Sequence, residues 1–476
     1  MTSARRNRRF VSALALAALL AASVVACGCG PRARVEPGRE SRPNILLIVI
    51  DALRADRLEC YGYQRQTSPN LNALASEGVL FSNAMAPGPE TVLSIPSLLT
   101  GRRPREHGVL WIQRGKQVYA GPGLRLPTLA EMLGQNGYVT AAVSANPLVG
   151  AGTGVNRGFD TFDQSTGRVS VWQHLSGADV NASAYKWLDT YRPESGPFFL
   201  YLHYIDPHNL YRPPSAFCIF GRPGYTPKDN EVNEAVNDVF DAHVDPPVTG
   251  ATLAKHGLTR RDVERMSDLY DGEVLCADHY VGELLERLRQ SGLYENTIVI
   301  VTADHGESFL DHGNLEHGGS LYQELIHVPL IIRLPGVRGS QEVDELVESI
   351  DLAPTILEAA GITSRAVMSG RSFYQPLTTG QPIPAEVGMS ELPARKMYAV
   401  RSGDWKLIES PAKTELYDLS RDPLETRDLA PERPDQVSHL KRELQDLLRK
   451  HPPAKEGTEP VDQTELDALK ALGYIK

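Results

Sequence analysis

The sequence predicts an α/β fold: a mostly parallel central sheet with helices on both faces, plus a small antiparallel α+β subdomain at the C-terminus. The runs at 45–50 and 198–203 are continuously apolar, as strands buried on both faces of a parallel sheet are. Helical stretches, the longest at 262–290, alternate with such strands. A chain of 476 residues has room for one large domain and an appendage.

The order of these patterns divides the chain into four segments. After about residue 375, short antiparallel strands are expected at 397–402, 405–408 and 416–419, followed by a charged helix near 435–449. The predicted segments are an export signal at 1–26, a flexible tether at 27–42, the main domain at 43–375 and a C-terminal subdomain with a terminal helix at 376–476.

The N-terminus has the pattern of an export signal. Four arginines precede the apolar run 10–22, which is short for a membrane span. The sequence Val24-Val25-Ala26-Cys27 resembles a bacterial lipobox, with Cys29 as a weaker candidate. Lipidation of Cys27 would tether the protein to a membrane as a periplasm-facing lipoprotein of the bacterial cell envelope. A plain signal peptide or an uncleaved anchor is the alternative.

Charge and cysteine content limit the classes of partner and cofactor. The net charge of −10 becomes −14 once the four signal arginines are removed, and an acidic protein is a poor partner for nucleic acid. Cys60, Cys218 and Cys276 remain, and the sequence leaves any disulfide between them open. Without a C-x-x-C pair, a zinc knuckle is not indicated.

Ligand-type side chains follow the predicted strands. In open α/β sheets, ligands bind beyond the carboxyl ends of the strands, so these residues are expected to lie close together. Asp304 and His305 are adjacent, and Gly306 leaves room for an ion; such side chains suit zinc, manganese or calcium. A single aspartate such as Asp51 could equally be a helix cap or a turn residue. The residues at strand ends are Asp51, His203, Asp206, His208, Asp304 and His305.

Several motifs, in order, resemble the sulfatase family over nearly all of residues 43–430. They are Asn44-Ile45-Leu46-Leu47-Ile48-Val49-Ile50-Asp51, Ser97-Leu98-Leu99-Thr100-Gly101, Ala303-Asp304-His305-Gly306-Glu307, and Leu416-Tyr417-Asp418-Leu419 with Asp422-Pro423 and Glu425-Thr426. The resemblance implies a sulfatase-like catalytic domain at 43–375 in which Asp51, Asp304 and His305 hold a divalent metal ion.

Two departures from the family pattern concern the metal. Ala52 stands where sulfatases usually have a second aspartate, and His305 where many have asparagine. The site therefore resembles that of phosphoryl-transferring relatives. This favours zinc or manganese over calcium, with a second metal ion as an open alternative.

The nucleophile position is a third departure. Counting back from Leu99-Thr100-Gly101 places it at Thr91, which would also contact the metal. Thr91 lies just ahead of a helix expected at 93–100, where free N–H groups favour an anion, although a threonine there could simply be an N-cap. A competing alignment puts formylglycine, the modified residue of sulfatases, at Ser94.

The substrate is expected to be an anionic phosphate or sulfate ester. A sulfate on an ordinary threonine must be hydrolysed directly, whereas a phosphothreonine is resolved more readily, so Thr91 favours phosphoryl chemistry. The lysine and histidine that grip sulfate in relatives are absent from Ser144-Ala145-Asn146.

Histidines supply the remaining candidates. The resemblance implies that His208 contacts the substrate and that His317 protonates the leaving group, which suits imidazole near neutral pH. Further candidates for the substrate or for a second metal site are His203, Asp206, His312, His107 and Asn146.

The sequence therefore predicts a metal-dependent hydrolase, or transferase, of phosphate or sulfate esters. Two alternatives remain: a true sulfuric ester hydrolase with formylglycine at Ser94, and a catalytically inert sulfatase-like binding protein.

Overall fold

The structure, a computed structural model, describes residues 42–460 apart from 110, 115–116, 121–123, 165–175, 222–226, 242–247, 338 and 455–458. The predicted signal, Cys27 and the tether up to residue 41 lie outside the described residues. Within the described part of the chain, no helix combines the length and the apolar character that crossing a bilayer requires. Cys60, Cys218 and Cys276 are free thiols there.

The strands are numbered in chain order. They are β1 (Asn44–Ile50), β2 (Val79–Phe81), β3 (Ala84–Met85), β4 (Trp111–Arg114), β5 (Gln117–Ala120), β6 (Val139–Ser144), β7 (Thr161–Asp163), β8 (Phe198–Tyr204), β9 (Thr297–Ala303), β10 (Ser308–Phe309), β11 (Leu315–Glu316), β12 (His327–Val328), β13 (Leu330–Arg333), β14 (Gln341–Val343), β15 (Val347–Glu348), β16 (Val387–Leu392), β17 (Met397–Ser402), β18 (Trp405–Glu409), β19 (Thr414–Asp418) and β20 (Glu459–Pro460).

The α-helices are numbered in the same way. They are α1 (Pro69–Glu77), α2 (Thr91–Thr100), α3 (Pro104–His107), α4 (Leu129–Gly134), α5 (Gly177–Thr190), α6 (Pro227–Asp241), α7 (Gly250–Lys255), α8 (Arg260–Gln290), α9 (Gln323–Ile326), α10 (Leu352–Ala359), α11 (Tyr374–Thr379) and α12 (Pro434–Lys450).

The central sheet has the strand order β14-β2-β13-β9-β1-β8-β6-β7. Pairing is parallel except for β13, which is antiparallel to β9 and β2. Every residue of β1, β8 and β9 is buried, and since alternate side chains point to opposite faces, both faces of the sheet are covered. The predicted fold class is confirmed, and the carboxyl ends of β1, β8 and β9 meet at one edge.

Two helical regions differ from the sequence expectation. The segment 211–260, expected to be irregular, contains α6 and α7, since α6 has an apolar face that packs inward through Val232, Val236 and Val239. Helix α2 begins two residues earlier than expected, with Glu90 as its N-cap. Thr91 is therefore the first helical residue and not the cap.

The C-terminal part forms an antiparallel sheet, β16-β17-β18-β19, covered by α12. Leu440 and Leu444 of the helix are buried against this sheet. Strand β16 was not expected from the sequence. Its last residue, Leu392, lies in an apolar cluster with Val92 and Leu93 of α2, so the small sheet packs directly against the helix that begins at Thr91.

Candidate active site

Asp51 and Asp304 follow neighbouring parallel strands, β1 and β9, and both side chains are buried. Oδ1 of Asp304 accepts the backbone N–H groups of Ala52 (3.2 Å) and His305 (2.9 Å). Ala52 has a positive φ of 54°, an uncommon conformation for a residue with a Cβ, and it is this turn that aims the N–H at the carboxylate. The turn after β1 and the turn after β9 are thereby locked together.

Asp51 is held from the side of β8 and β6. Its Oδ2 accepts a 2.6 Å hydrogen bond from Nδ2 of Asn146 and lies 3.1 Å from Nε2 of His203. Although burial raises the pKa of a carboxyl group, His208, His203 and His305 together hold the pKa of Asp51 well below its usual range. Asp51 is therefore a buried carboxylate anion.

One oxygen on each aspartate lacks a hydrogen-bond partner among the described residues. These are Oδ1 of Asp51 and Oδ2 of Asp304, and each lies 3.6 Å from Nε2 of His305. Nδ1–H of His305 donates to the Gly306 carbonyl (2.8 Å), so Nε2 is the ring nitrogen that can bind a metal ion once it is deprotonated. Two unpartnered carboxylate oxygens and an imidazole nitrogen converge, and this donor set fits a divalent cation.

His203 belongs to the same cluster. Ligand atoms of Asp51, His203 and Asp304 all lie within 4.8 Å of one another. The other ring nitrogen of His203 lies 2.8 Å from the hydroxyl of Tyr201, which fixes the ring. The sequence had marked His203 only as a candidate for substrate or for a second metal.

Thr91 faces this cluster. Its Oγ1 lies 3.4 Å from Nε2 of His305 and 3.5 Å from Nδ2 of Asn146. The N–H groups of Leu93 and Ser94 bond to the Glu90 carbonyl, so the N–H groups ahead of them face the helix end, where partial positive charge favours an anion.

Ser94 lies one turn further into α2. Its hydroxyl donates to the carbonyl of Gly88 at 2.9 Å. No contact joins Ser94 to Asp51, Asp304 or His305 among the described residues, so of the two candidate nucleophiles Thr91 alone faces the cluster.

A second histidine group borders the cluster. The ring of His317 is centred 4.4 Å from that of His305 and 4.8 Å from that of His208. Nδ1 of His317 lies 3.2 Å from Oε1 of Glu307, whereas Nδ1–H of His208 donates to the Asn209 carbonyl (2.9 Å). Nε2 of His208 is buried and has no hydrogen-bond partner among the described residues.

A second metal site built from His203, Asp206, His312 and His317, the other possibility for these histidines in the sequence, is not assembled, because these side chains point in different directions. His203 joins Asp51, and His317 joins Glu307. The carboxylate of Asp206 accepts the N–H of Gly177 at 3.0 Å and shares a hydrogen bond with Glu273.

His312 lies in a separate cluster with Glu324 and Glu425. Its ring nitrogens lie 2.9 Å from Oε1 of Glu324 and 3.1 Å from the Glu425 carbonyl, and its ring stacks on Tyr322. With an acceptor at each nitrogen, the imidazole donates from both. Burial lowers the pKa of His312, but the hydrogen bond and the charge of Glu324 outweigh this effect and raise it.

His107 also lies apart from the aspartates. It is buried beside α2, with Nε2 3.0 Å from the Ser97 hydroxyl and 3.2 Å from the Leu93 carbonyl, while Nδ1 accepts the Val109 N–H at 3.0 Å. Burial lowers its pKa to about 4, so its imidazole is neutral.

Sequence reasoning missed three partners of the site. Tyr201 fixes His203, and Glu307 fixes His317. Glu90, the N-cap of α2, has a pKa raised to about 7 by burial, which the charges of His305 and Arg395 oppose. Only Glu307 left a signal, because it stands in the segment Asp304-His305-Gly306-Glu307.

Two protein families match the chain. Residues 43–362 match the family described as Sulfatase, and residues 311–451 match the one described as N-sulphoglucosamine sulphohydrolase, C-terminal. Similar curated proteins include arylsulfatase K of Bos taurus, 24% identical over 85% of this chain and 82% of its own length. N-acetylglucosamine-6-O-sulfatase of Bacteroides thetaiotaomicron is 23% identical over 86% of each chain.

Solved structures share the fold. One, determined with its substrate D-glucosamine-2-N,6-O-disulfate, has a TM-score of 0.69 and 22% identity, covering 86% of this chain and 98% of its own. The phosphonate monoester hydrolase of Agrobacterium radiobacter has a TM-score of 0.68 and 20% identity, covering 86% of this chain and 96% of its own. With the first family spanning 320 residues around the Asp51–Asp304 cluster, the chain belongs to the sulfatase family of ester hydrolases.

Proposed function

We propose that this protein is a metal-dependent hydrolase of phosphate or sulfate esters, with Thr91 as nucleophile. The observation that carries the proposal is the convergence of Thr91 Oγ1, His305 Nε2 and the two unpartnered aspartate oxygens. Asp51, Asp304 and His305 would hold one divalent ion, with His203 beside them. A bound ion would act as a Lewis acid that makes the threonine hydroxyl more acidic and offsets the charge of the ester.

The chain's own groups account for the remaining chemistry. The Thr91 oxygen attacks phosphorus or sulfur, the bond to the alcohol oxygen breaks, and the phosphoryl or sulfuryl group stays on Thr91. The threonine hydroxyl gives up its proton in this step, and the departing alkoxide gains one through a histidine. Water then attacks the covalent intermediate, passes one proton to the threonine oxygen and frees the threonine. If an alcohol replaces water, the reaction is a transfer. Free N–H groups at the start of α2 support the negative charge of the ester.

His208 is favoured over His317 as the residue that contacts the leaving group. Its Nε2 is buried without a partner, so in a ring that carries both protons Nε2–H would donate to the leaving-group oxygen of the substrate. His317 is already paired with Glu307. Burial lowers the pKa of His317, helped by the charges of His305 and His208, although the Glu307 carboxylate acts in the opposite direction. We assign His317 to proton acceptance or to orientation of the neighbouring rings.

Phosphoryl chemistry is favoured by the unmodified threonine and by Asn146. The Asn146 side chain takes the place at the end of β6 where sulfate-gripping residues were expected, and it supports Asp51 instead. A phosphothreonine also hydrolyses more readily than a threonine sulfate. Zinc or manganese suits the histidine-containing donor set.

Sulfuric ester hydrolysis is the second candidate. It is favoured by the names of the similar proteins, arylsulfatase K and N-acetylglucosamine-6-O-sulfatase among them. It would require either formylglycine at Ser94 or direct hydrolysis of a sulfated Thr91.

We also propose that the protein is exported and anchored to the bacterial cell envelope through lipidated Cys27, facing the periplasm. The supporting pattern is the basic start, the apolar run and the lipobox-like Val24-Val25-Ala26-Cys27. Labelling of the wild type with a radioactive fatty acid, and loss of label in Cys27→Ala, is the expected result.

The nucleophile assignment is tested with paired variants and paired substrates. Thr91→Ala should abolish turnover of aryl phosphates, phosphodiesters or aryl sulfates, Thr91→Ser should retain part of it, and Ser94→Ala should remain active. Circular dichroism checks that each variant is folded. If only Ser94→Ala loses activity, and mass spectrometry finds formylglycine at position 94 of the wild type, the nucleophile is residue 94 and not Thr91. No turnover with any metal and substrate would favour the inert binding protein.

A further inference from the structure

The turn between β16 and β17 brings two cations close to the start of α2. This hairpin turn, residues 393–396, carries Arg395 and Lys396, and both side chains are exposed. Neither makes a hydrogen bond or an ion pair with another side chain in the described ranges. The turn is ordered by a backbone bond from the Lys396 N–H to the Pro393 carbonyl (3.1 Å).

Strand β16 fixes where the hairpin turn lies. The backbone N–H of Glu391 donates to the Pro87 carbonyl at 2.9 Å, and the hydroxyl of Ser390 donates to the Ala86 carbonyl. Leu392, the last residue before the turn, packs on Val92 and Leu93. The hairpin turn therefore emerges beside the segment that leads into Thr91.

Among the described residues, no lysine or arginine side chain contacts Thr91; the buried Arg54, which donates to the Glu307 carbonyl, is paired with Asp56 and Asp311. The exposed cations at the hairpin turn thus supply positive charge to a site that otherwise relies on its metal, histidines and helix end.

The protein as a whole carries a net charge of −10, so a polyanionic substrate is repelled at long range and needs local attraction. We propose that Arg395 and Lys396 bind a second anionic group, a sulfate, phosphate or carboxylate, on the alcohol half of the substrate. The preferred substrates are then esters with at least two anionic groups. This assignment rests on the proposed function, because it names the substrate class of the same site.

The turnover test compares phenyl phosphate with 4-carboxyphenyl phosphate, and the corresponding sulfates, in the metal-loaded protein. The double variant Arg395→Gln/Lys396→Gln should raise KM for the carboxylated esters by roughly three- to tenfold, with kcat little changed. KM for the phenyl esters should change less than twofold. Added salt should reduce the wild-type preference. Arg421→Gln, an exposed cation of the same subdomain, is the matched control and should change neither KM.

A binding measurement separates this inference from the catalytic proposal. Calorimetry on Thr91→Ala, with and without the two glutamine substitutions, compares glucosamine 6-O-sulfate with glucosamine-2-N,6-O-disulfate. The substitutions should weaken only the disulfated sugar. If no ester is turned over but this difference is seen, the proposed function fails and the recognition stands. Equal weakening of both sugars, or no weakening of either, overturns the role of the hairpin turn.

Discussion

Replacing Lys406 with methionine should destabilise the protein severely. Lys406, on β18, forms a 2.7 Å ion pair with Glu425, and both side chains are fully buried. Burial lowers the pKa of Lys406 and raises that of Glu425, each against the attraction of the other. Removing one partner of such a pair leaves a charge unpaired in the interior, at a cost of about 3–5 kcal/mol of unfolding free energy.

The pair can be dissected by a double-mutant cycle. In Lys406→Met/Glu425→Gln the glutamine keeps an acceptor for the Gln323 N–H, which donates to Glu425 at 2.6 Å. No charge is then buried alone, so stability should return to within about 1–2 kcal/mol of the wild type. Urea unfolding followed by circular dichroism measures each variant.

The control is an ion pair of the same type at the surface. Lys441 pairs with Glu409 at 2.9 Å, with side chains 38% and 31% exposed, and Lys441→Met should cost less than about 1 kcal/mol. The reasoning is refuted if Lys406→Met costs no more than Lys441→Met, or if the double variant is as unstable as the single one. Because Glu425 and Gln323 hold the segment that follows His317, the single variant should also lose activity before it unfolds.

Three further outcomes are expected. Burial raises the pKa of Glu106, but hydrogen bonds from His451 and Ser369 outweigh it and lower the pKa to about 2. The ionised Glu106 therefore stabilises the fold above pH 4.5, and this stabilisation is lost as the pH falls towards 2. Glu106→Gln should therefore remove roughly 2 kcal/mol of the stability difference between pH 6 and pH 3, measured by urea unfolding; an unchanged difference would contradict the assignment. Dialysis against a chelator should abolish turnover without unfolding, and zinc or manganese should restore it better than calcium; full activity after chelation would exclude the ion. His208→Gln should slow alkyl esters by about 10²–10⁴ but spare 4-nitrophenyl esters, whose leaving group needs no proton, whereas an equal loss on both would rule out proton donation.

The fold and one part of the site were accessible from sequence because their signals are local. Continuous apolar runs mark β1, β8 and β9, and the polar residues that follow them, Asp51 and Asp304, fall at the same sheet edge once the strands are paired in parallel. Whatever the order of the strands, their carboxyl ends had to meet there.

The orientation of side chains within loops could not be predicted from the sequence. Asp206 and His208 are two residues apart, yet the Asp206 carboxylate faces Glu273 whereas the His208 ring packs against His317. His312 likewise separates from its near neighbour His317. Loop backbone directions decide such pairings, and they depend on long-range contacts that leave no periodic pattern in the sequence.

The contact between β16 and the segment before Thr91 has a consequence for biosynthesis. The ribosome makes Asp51 and Thr91 early, but strand β16, which packs against the segment around Thr91, is added some 300 residues after Thr91. A chain that ends before β16 therefore leaves the apolar side chains of Val92 and Leu93 without Leu392, one of the residues that pack against them.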